Sequence, residues 1–363
     1  MWAVRRAAFA RKEHGSWTGF RWHVGEAMTR PPGARGDPLW LVDWSDEEDH
    51  QFRAAWRAAG IGARVLRARP LGPTVGTAFH RLRSWPTYLW LAERGLREAS
   101  TDAIVAWQPL AGAVAGLLRR RRAQRLLILN PILQEGDSTA RQRMILSGLQ
   151  RADSIVLYSR SAHKMGVELG LDPGKLRYVP LGVNARRQRA SRPGTYFLAA
   201  GQDYRDWATL AQAVTPLDVI VKVAGLPTRS HADRLQMVHP KDHRAFLDLL
   251  EGAAALVVPL QGGDRQAGQL AILDAMSLGR AVIATRGMGT EDYVTPQTGI
   301  LVPPRDPVAL REAIVALRDP ELARIMGEAA LTAAQKTFSL ERFVRTIDAE
   351  ARSGPPVKGS TES

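Results

Sequence analysis

The apolar positions of this chain gather into short continuous runs, separated by stretches in which they recur every three or four residues. That is the pattern of buried strands alternating with amphipathic helices. LWLVDW (39–44), ARVLRA (63–68), DAIVAW (102–107), RLLILN (125–130) and SIVLYS (154–159) read as strands of a first half, which RYVPLGVN (177–184) completes. Ser45 with Glu48 three residues later is a capping box opening a helix that ends near Gly60. Residues 74–99 read as helix with a break near Pro86, and a helix rich in Ala, Gly and Leu ends in the run Arg119 to Arg122, which reads as a solvated cap where cations favour the helix dipole. TYFLAAG (195–201), DVIVKVAG (218–225), ALVVPL (255–260) and AVIAT (281–285) repeat the rhythm. Helices are expected at about Asp206 to Val214, from about Asp242, at Gln269 to Leu278, and over 307–318 and 320–336. Strands alternating with helices in both halves predict the α/β class, with parallel sheets wound by crossover helices.

At 363 residues the chain exceeds one ordinary hydrophobic core, so two domains are expected. Residues 1–37 read as a basic extension closed by the linker-like PPGARGDP. The break at NARRQRASRPG (184–194) divides a domain over 38–185 from a second over 186–345, and 346–363 reads as a tail, disordered from about Ser353. The cleft between two such domains is the expected ligand site.

Composition narrows the setting more than the chemistry. Hydrophobic content of 45% and charged content of 24% are those of an ordinary globular protein. There is no cysteine, which excludes disulfides, thiolate nucleophiles and Cys-ligated metals, and fits a reducing compartment. No apolar run approaches a bilayer span, and the first residues lack the apolar segment of a secretory signal. A cytoplasmic protein, in solution or on a membrane surface, is the expectation. The net charge of +14 is carried almost wholly by Arg, with only seven Lys. It favours anionic partners, although arginine-rich composition alone accounts for it equally well. RLRSWPTYLWLAERGLR (81–97), with Trp85, Tyr88 and Trp90 among arginines, reads as core packing or as contact with an anionic membrane surface. No nucleic-acid-binding module accompanies the charge, so no nucleic acid partner is expected.

Chemistry is most legible between Leu256 and Pro304. The strand ending at Pro259 feeds a loop carrying Gly262, Gly263 and Gly268, then a helix that Gly279 stops, then AVIAT and a second Gly loop. Such a loop at a helix N-terminus presents unpaired N–H groups and the positive dipole end, which suits a phosphate. No strand is followed by G-x-G-x-x-G, which disfavours a dinucleotide-dependent dehydrogenase.

LDAMSLGRAVIAT (273–285), TGILVPPRDPVALREAI (298–314) and the ADSIVLYS…LRYVPLGV segments resemble the retaining, nucleotide-sugar-dependent glycosyltransferases of family 4, glycosyl transferases group 1. The resemblance is strong from about 152 to 345 and implies the GT-B fold, two Rossmann-like domains facing across a cleft. The 38–185 domain would then take the acceptor and the 186–345 domain the donor. It implies that Asp274, in place of the family's second motif Glu, holds the ribose hydroxyls, and that Gln266, in place of the first, touches the donor sugar. Backbone N–H groups at Gly268, Gln269 and Leu270 would face the diphosphate. Arg205 would match the family's phosphate-binding Lys, Gln202 stands nearest the family's Arg, and Lys222 is a substitute cation. His239 falls where the backbone brackets the base, Gly287 opens the loop after AVIAT, and Asn130 takes the place of a strand-end His near the transferred sugar. The family's first glycine pair is replaced by the acidic WSDEEDH (44–50).

The resemblance thus implies a hexosyltransferase-type enzyme, retaining at the anomeric carbon. It would move a sugar from a nucleoside-diphosphate sugar to a glycan, lipid-linked or surface polysaccharide precursor, with no cofactor and no metal. The alternative is a catalytically degenerate member that binds nucleotide or glycan as a partner subunit, for which Gln266 and the acidic loop speak.

Overall fold

The structure is a computed structural model that describes residues 23–27, 36–43, 46–68, 78–98, 101–119, 124–131, 133, 140–185, 193–201, 204–225, 235–262 and 265–353. The chain forms two compact units, one of residues 1–157, 163–179 and 344–363, the other of 158–162 and 180–343.

In the first unit β1 (His23–Ala27), β2 (Leu39–Val42), β3 (Ala63–Arg67), β4 (Ala103–Ala106), β5 (Arg125–Leu129), β6 (Ser154–Leu157) and β7 (Leu176–Tyr178) form one sheet, in the order β1-β3-β2-β4-β5-β6-β7. All neighbours are parallel except β1, which runs antiparallel to β3. The helices are α1 (Asp46–Ala59), α2 (Ala78–Leu96), α3 (Pro109–Leu118), α4 (Ala140–Gln150) and α5 (Arg160–Glu168). Every residue of β2, β4 and β6 is buried, which is why these strands read as unbroken apolar runs. Helix α1 buries Phe52, Ala55, Trp56 and Ala59, an i, i+3, i+4, i+7 face, and Trp56 meets Trp40 of β2 edge-on at 5.2 Å. Close packing explains the glycines of PLAGAVAGLL: a Cβ on Gly116 would overlap the carbonyl of Gly148 in α4.

Two expectations for this unit are corrected. Helix α2 runs without interruption past Pro86, held on its inner side by Thr87, Tyr88, Leu91 and Ala92, all buried. Tyr88 of the aromatic stretch is therefore core, although Leu89 beside it is 48% exposed. Arg119 is no solvated cap: 5% exposed, it pairs with Asp153 at 2.6 Å. Residues 120–122 of that basic run, like Ser45, Gln202 and most of 1–37, lie outside the described residues.

In the second unit β8 (Tyr196–Gly201), β9 (Ile220–Gly225), β10 (Leu235–Met237), β11 (Ala255–Val258), β12 (Ala281–Thr285) and β13 (Gly299–Val302) form a wholly parallel sheet, in the order β10-β9-β8-β11-β12-β13. Its helices are α6 (Trp207–Val214), α7 (His243–Glu251), α8 (Gln269–Ser277), α9 (Pro307–Ala316) and α10 (Pro320–Lys336). Four of them start at Asp: Asp206, Asp242, Asp306 and Asp319 each accept a backbone N–H of the first turn.

A last helix, α11 (Leu340–Arg352), occupies part of the segment expected as a tail. From Val344 onward it belongs to the first unit. Phe343, Val344, Ile347 and Ala351 are buried, Glu350 pairs with Arg125 at 2.8 Å, and Arg352 pairs with Asp37 at 3.2 Å.

Each sheet has one topological switch point. β2 carries β3 on one side and β4 on the other, and β8 likewise carries β9 and β11. In open parallel sheets ligands bind beyond the carboxyl ends of the strands at that point.

Candidate functional site

In the second unit the switch point lies beyond Gly201 of β8 and Val258 of β11. An isolated antiparallel bridge between Arg205 and Leu260 spans it. Gly201 has φ +117, a conformation that favours glycine, and a Cβ there would overlap the Arg205 guanidinium. Arg205 is buried, and its Nε donates to the Ala200 carbonyl at 2.7 Å, which holds the cation under the end of β8.

Beyond β11 the chain reaches α8 through Gly268, the N-cap residue, with φ +92 and no side-chain cap. Gly268 has no side chain with which to cap the first-turn amides of Gln269 and Leu270. Two side-chain atoms at this helix head are buried without a hydrogen-bond partner: Oε1 of Gln266 and Nε2 of Gln269. A buried polar atom left unpaired costs about 1–3 kcal/mol until a water, a ligand or a neighbouring group completes its bonding. One is an acceptor and the other a donor, the complement of a sugar hydroxyl, which both donates and accepts.

The loop after β12 closes over the same helix head. Gly289, at φ +89, packs so tightly on Gln269 that a Cβ would overlap the amide. The Gly287 amide already donates to Thr290 Oγ1 at 3.1 Å, and Thr290 Oγ1 donates back to the Thr285 carbonyl at 2.9 Å. Gly287 thus shapes the loop with its own N–H. A small pocket beside it is lined by Tyr204, Gln261, Gly262, Arg265, Arg286 and Met288. The Arg265 guanidinium lies 4.2 Å from the Tyr204 ring centroid, and Arg286 pairs with Glu291 at 2.8 Å. Further along, Asp292 accepts the Arg160 amide and guanidinium, at 2.9 and 2.8 Å. The buried Tyr293 hydroxyl joins the Tyr158 carbonyl to the Leu181 amide, at 2.8 and 2.9 Å.

Asp274 projects from the second turn of α8, and its Oδ2 lies 3.1 Å from Nε2 of His243, the first residue of α7. His243 was missed in the sequence. Asp242 as N-cap fixes its place, but nothing in the spacing joins it to an acid 31 residues on.

Gln266, Gly268, Gln269, Leu270, Gly287 and Arg205 are brought together at the carboxyl ends of β8, β11 and β12. Lys222 is not. It is the third residue of β9, and its Nζ sits 3.6 Å from the ring centroid of Tyr196, the first residue of β8, at the amino end of the sheet. His239 is exposed just past β10, whose ladder Val238 extends by donating to the Val223 carbonyl at 3.0 Å. Asn130 belongs to the first unit, where it ends β5 with φ +42, a left-handed conformation Asn tolerates. Among the described residues no group of three or more acidic or His side chains could hold a metal ion, and no helix is long and apolar enough to cross a membrane.

Residues 204–319 match the family model described as glycosyl transferases group 1. Among solved structures, the chain is similar to sucrose-phosphate synthase from Thermosynechococcus elongatus, at 20% identity and a TM-score of 0.67 over 87% of this chain and 98% of that one. HepE from Anabaena in complex with UDP-glucose aligns at 14% identity and a TM-score of 0.63, covering 86% and 99%. A glycosyltransferase from Rickettsia africae aligns at 14% and 0.60, covering 88% and 99%. At these identities the likeness shows the fold, which is GT-B, each unit being one Rossmann-like domain. No curated protein sequence matches the chain. The family match and the structural neighbours agree with the resemblance read from the sequence, to a group 1 glycosyltransferase.

Proposed function

We propose that this chain is a glycosyltransferase that binds a nucleoside-diphosphate sugar in its second unit and passes the sugar to a hydroxyl-bearing acceptor, a glycan or lipid-linked precursor. The observation that carries this reading is the head of α8. There an uncapped helix N-terminus stands at the switch point beside the buried guanidinium of Arg205 and the unpaired Gln266 and Gln269. Negative charge develops on the leaving diphosphate as the glycosidic bond breaks. Fixed N–H dipoles and a held cation stabilise that charge without reorganising. Asp274 would take ribose hydroxyls through the carboxylate that His243 orients, and Gln266 with Gln269 would bracket a sugar hydroxyl. The resemblance implies a retaining course, in which the diphosphate and not a protein base receives the acceptor proton. HepE is a structural neighbour in complex with UDP-glucose, which supports a uridine donor among those to be tried first.

The test is a thermal-shift series with nucleoside diphosphates and their sugars, followed by donor turnover. A ligand of the folded state raises the midpoint. A raised midpoint that Gly268→Val abolishes, with release of diphosphate, supports the enzyme. A shift without turnover of any donor would favour the non-catalytic binder, a reading that the uncharged Gln266 keeps open. No shift with any nucleotide would remove both.

A further inference from the structure

The first unit has a switch point of its own, and a polar trio occupies it. Asp43 is the first residue after β2, and Gln108 is the N-cap of α3, just beyond β4. These are the two strands between which the winding reverses. Gln108 Nε2 donates to Asp43 Oδ2 at 2.9 Å and to the Tyr88 hydroxyl at 3.3 Å, while its Oε1 accepts the Leu110 amide at 3.2 Å. Tyr88, buried in α2, hydrogen-bonds Asp43 as well. Three elements thus converge on one carboxyl group.

Asp43 itself is half-buried, and so is Trp107 beside Gln108. The indole is fixed edge-on against Phe52 at 5.1 Å. Burial lifts the Asp43 carboxyl above the usual carboxylate range, so the fold keeps an ionisable group here against its solvation preference. Groups held that way concentrate at functional sites. The nearby charge of Glu48 pushes in the same direction.

We infer that Asp43 is a hydroxyl-binding residue for a neutral glycoside, with Gln108 and Tyr88 as its positioning residues and Trp107 supplying apolar surface for the sugar ring. A carboxyl oriented by two donors keeps acceptor capacity for hydroxyl hydrogens, and an indole beside it suits the C–H face of a pyranose. Assigning that glycoside as the acceptor rests on the proposed transferase reading; the binding site itself does not.

The experiment uses the full chain and isothermal titration with the methyl α-glycosides of glucose, mannose and galactose, with glucosamine, and separately with UDP. At least one neutral glycoside is expected to give a saturable isotherm. Asp43→Ala should abolish it, and Asp43→Asn, which keeps the shape and loses the charge, should weaken it about fivefold. UDP binding should be unchanged in both. If Asp43→Ala fails to fold by circular dichroism, Asp43→Asn decides. Absence of binding by every neutral glycoside, binding by glucosamine alone, or glycoside affinities unmoved in the Asn variant would each overturn the site. Loss of UDP binding by the wild type with glycoside binding retained would sink the donor reading and leave this one standing.

Discussion

Oδ2 of Asp274 faces Nε2 of His243 across 3.1 Å, a contact between the second turn of α8 and the first residue of α7. It fixes the only acidic side chain on α8, so the carboxylate reaches a ligand in one orientation. Asp274→Ala should therefore weaken a bound nucleoside diphosphate by about tenfold, or ~1.4 kcal/mol, and leave inorganic pyrophosphate unaffected. His243→Ala should give a smaller loss of the same kind. Calorimetry with both ligands checks this; equal losses for pyrophosphate would place Asp274 elsewhere than at a ribose.

Gly201 is doubly constrained, by φ +117 and by the guanidinium of Arg205. Gly201→Ala should cost about 1–3 kcal/mol of stability through backbone strain and push Arg205 off the Ala200 carbonyl. Arg205→Lys keeps the charge but loses the Nε bond. If Arg205 acts on phosphate, the second variant lowers nucleotide affinity with little change in the melting midpoint.

Asp43 makes stability depend on pH with a definite sign. Its carboxyl lies above the usual range in the folded chain, so between the unfolded and folded values the native state binds more protons. Its contribution is complete below the unfolded carboxyl range and is lost as pH rises through the folded value. Asp43→Asn should then raise the midpoint at pH 7 relative to the wild type, with the difference shrinking toward pH 4. Melts across that window measure it. A gain that grew toward acid would contradict the assignment.

Arg119 and Asp153 form an ion pair with Arg119 5% exposed, and Asp153 also accepts the Leu126 amide at 2.8 Å. Arg119→Ala should destabilise the first unit by about 2–3 kcal/mol, because the carboxylate loses a charged donor. If the arginine served only as a solvated helix cap, chemical denaturation would register a few tenths at most.

Most parallel strands and most helices of both sheets were legible, β10 and β13 being exceptions, because strands covered on both faces leave unbroken apolar runs and helices leave Asp and Gly at their ends. AVIAT and the Gly268–Gly279 bracket are of that kind. Helix α11 carries the same signal in Phe343, Val344, Ile347 and Ala351, yet 346–363 reads as a tail in the sequence. Side-chain direction was less accessible. The resemblance offers Lys222 and Arg205 alike as phosphate-binding cations, but only the fold sends one to the amino end of the sheet and the other beneath its carboxyl end. The pairing of His243 with Asp274 and the gathering of Tyr88, Gln108 and Asp43 are products of tertiary approach. No local pattern encodes them.

The return of α11 has a consequence for how the molecule is made. Glu350 and Arg352 anchor residues near the first unit's β5 and β2, so that unit is completed only by residues that follow the whole second unit in the chain. Domains of a nascent chain generally fold in order of synthesis. Here the N-terminal sheet must wait, with the face awaiting α11 uncovered, until the entire second unit has emerged.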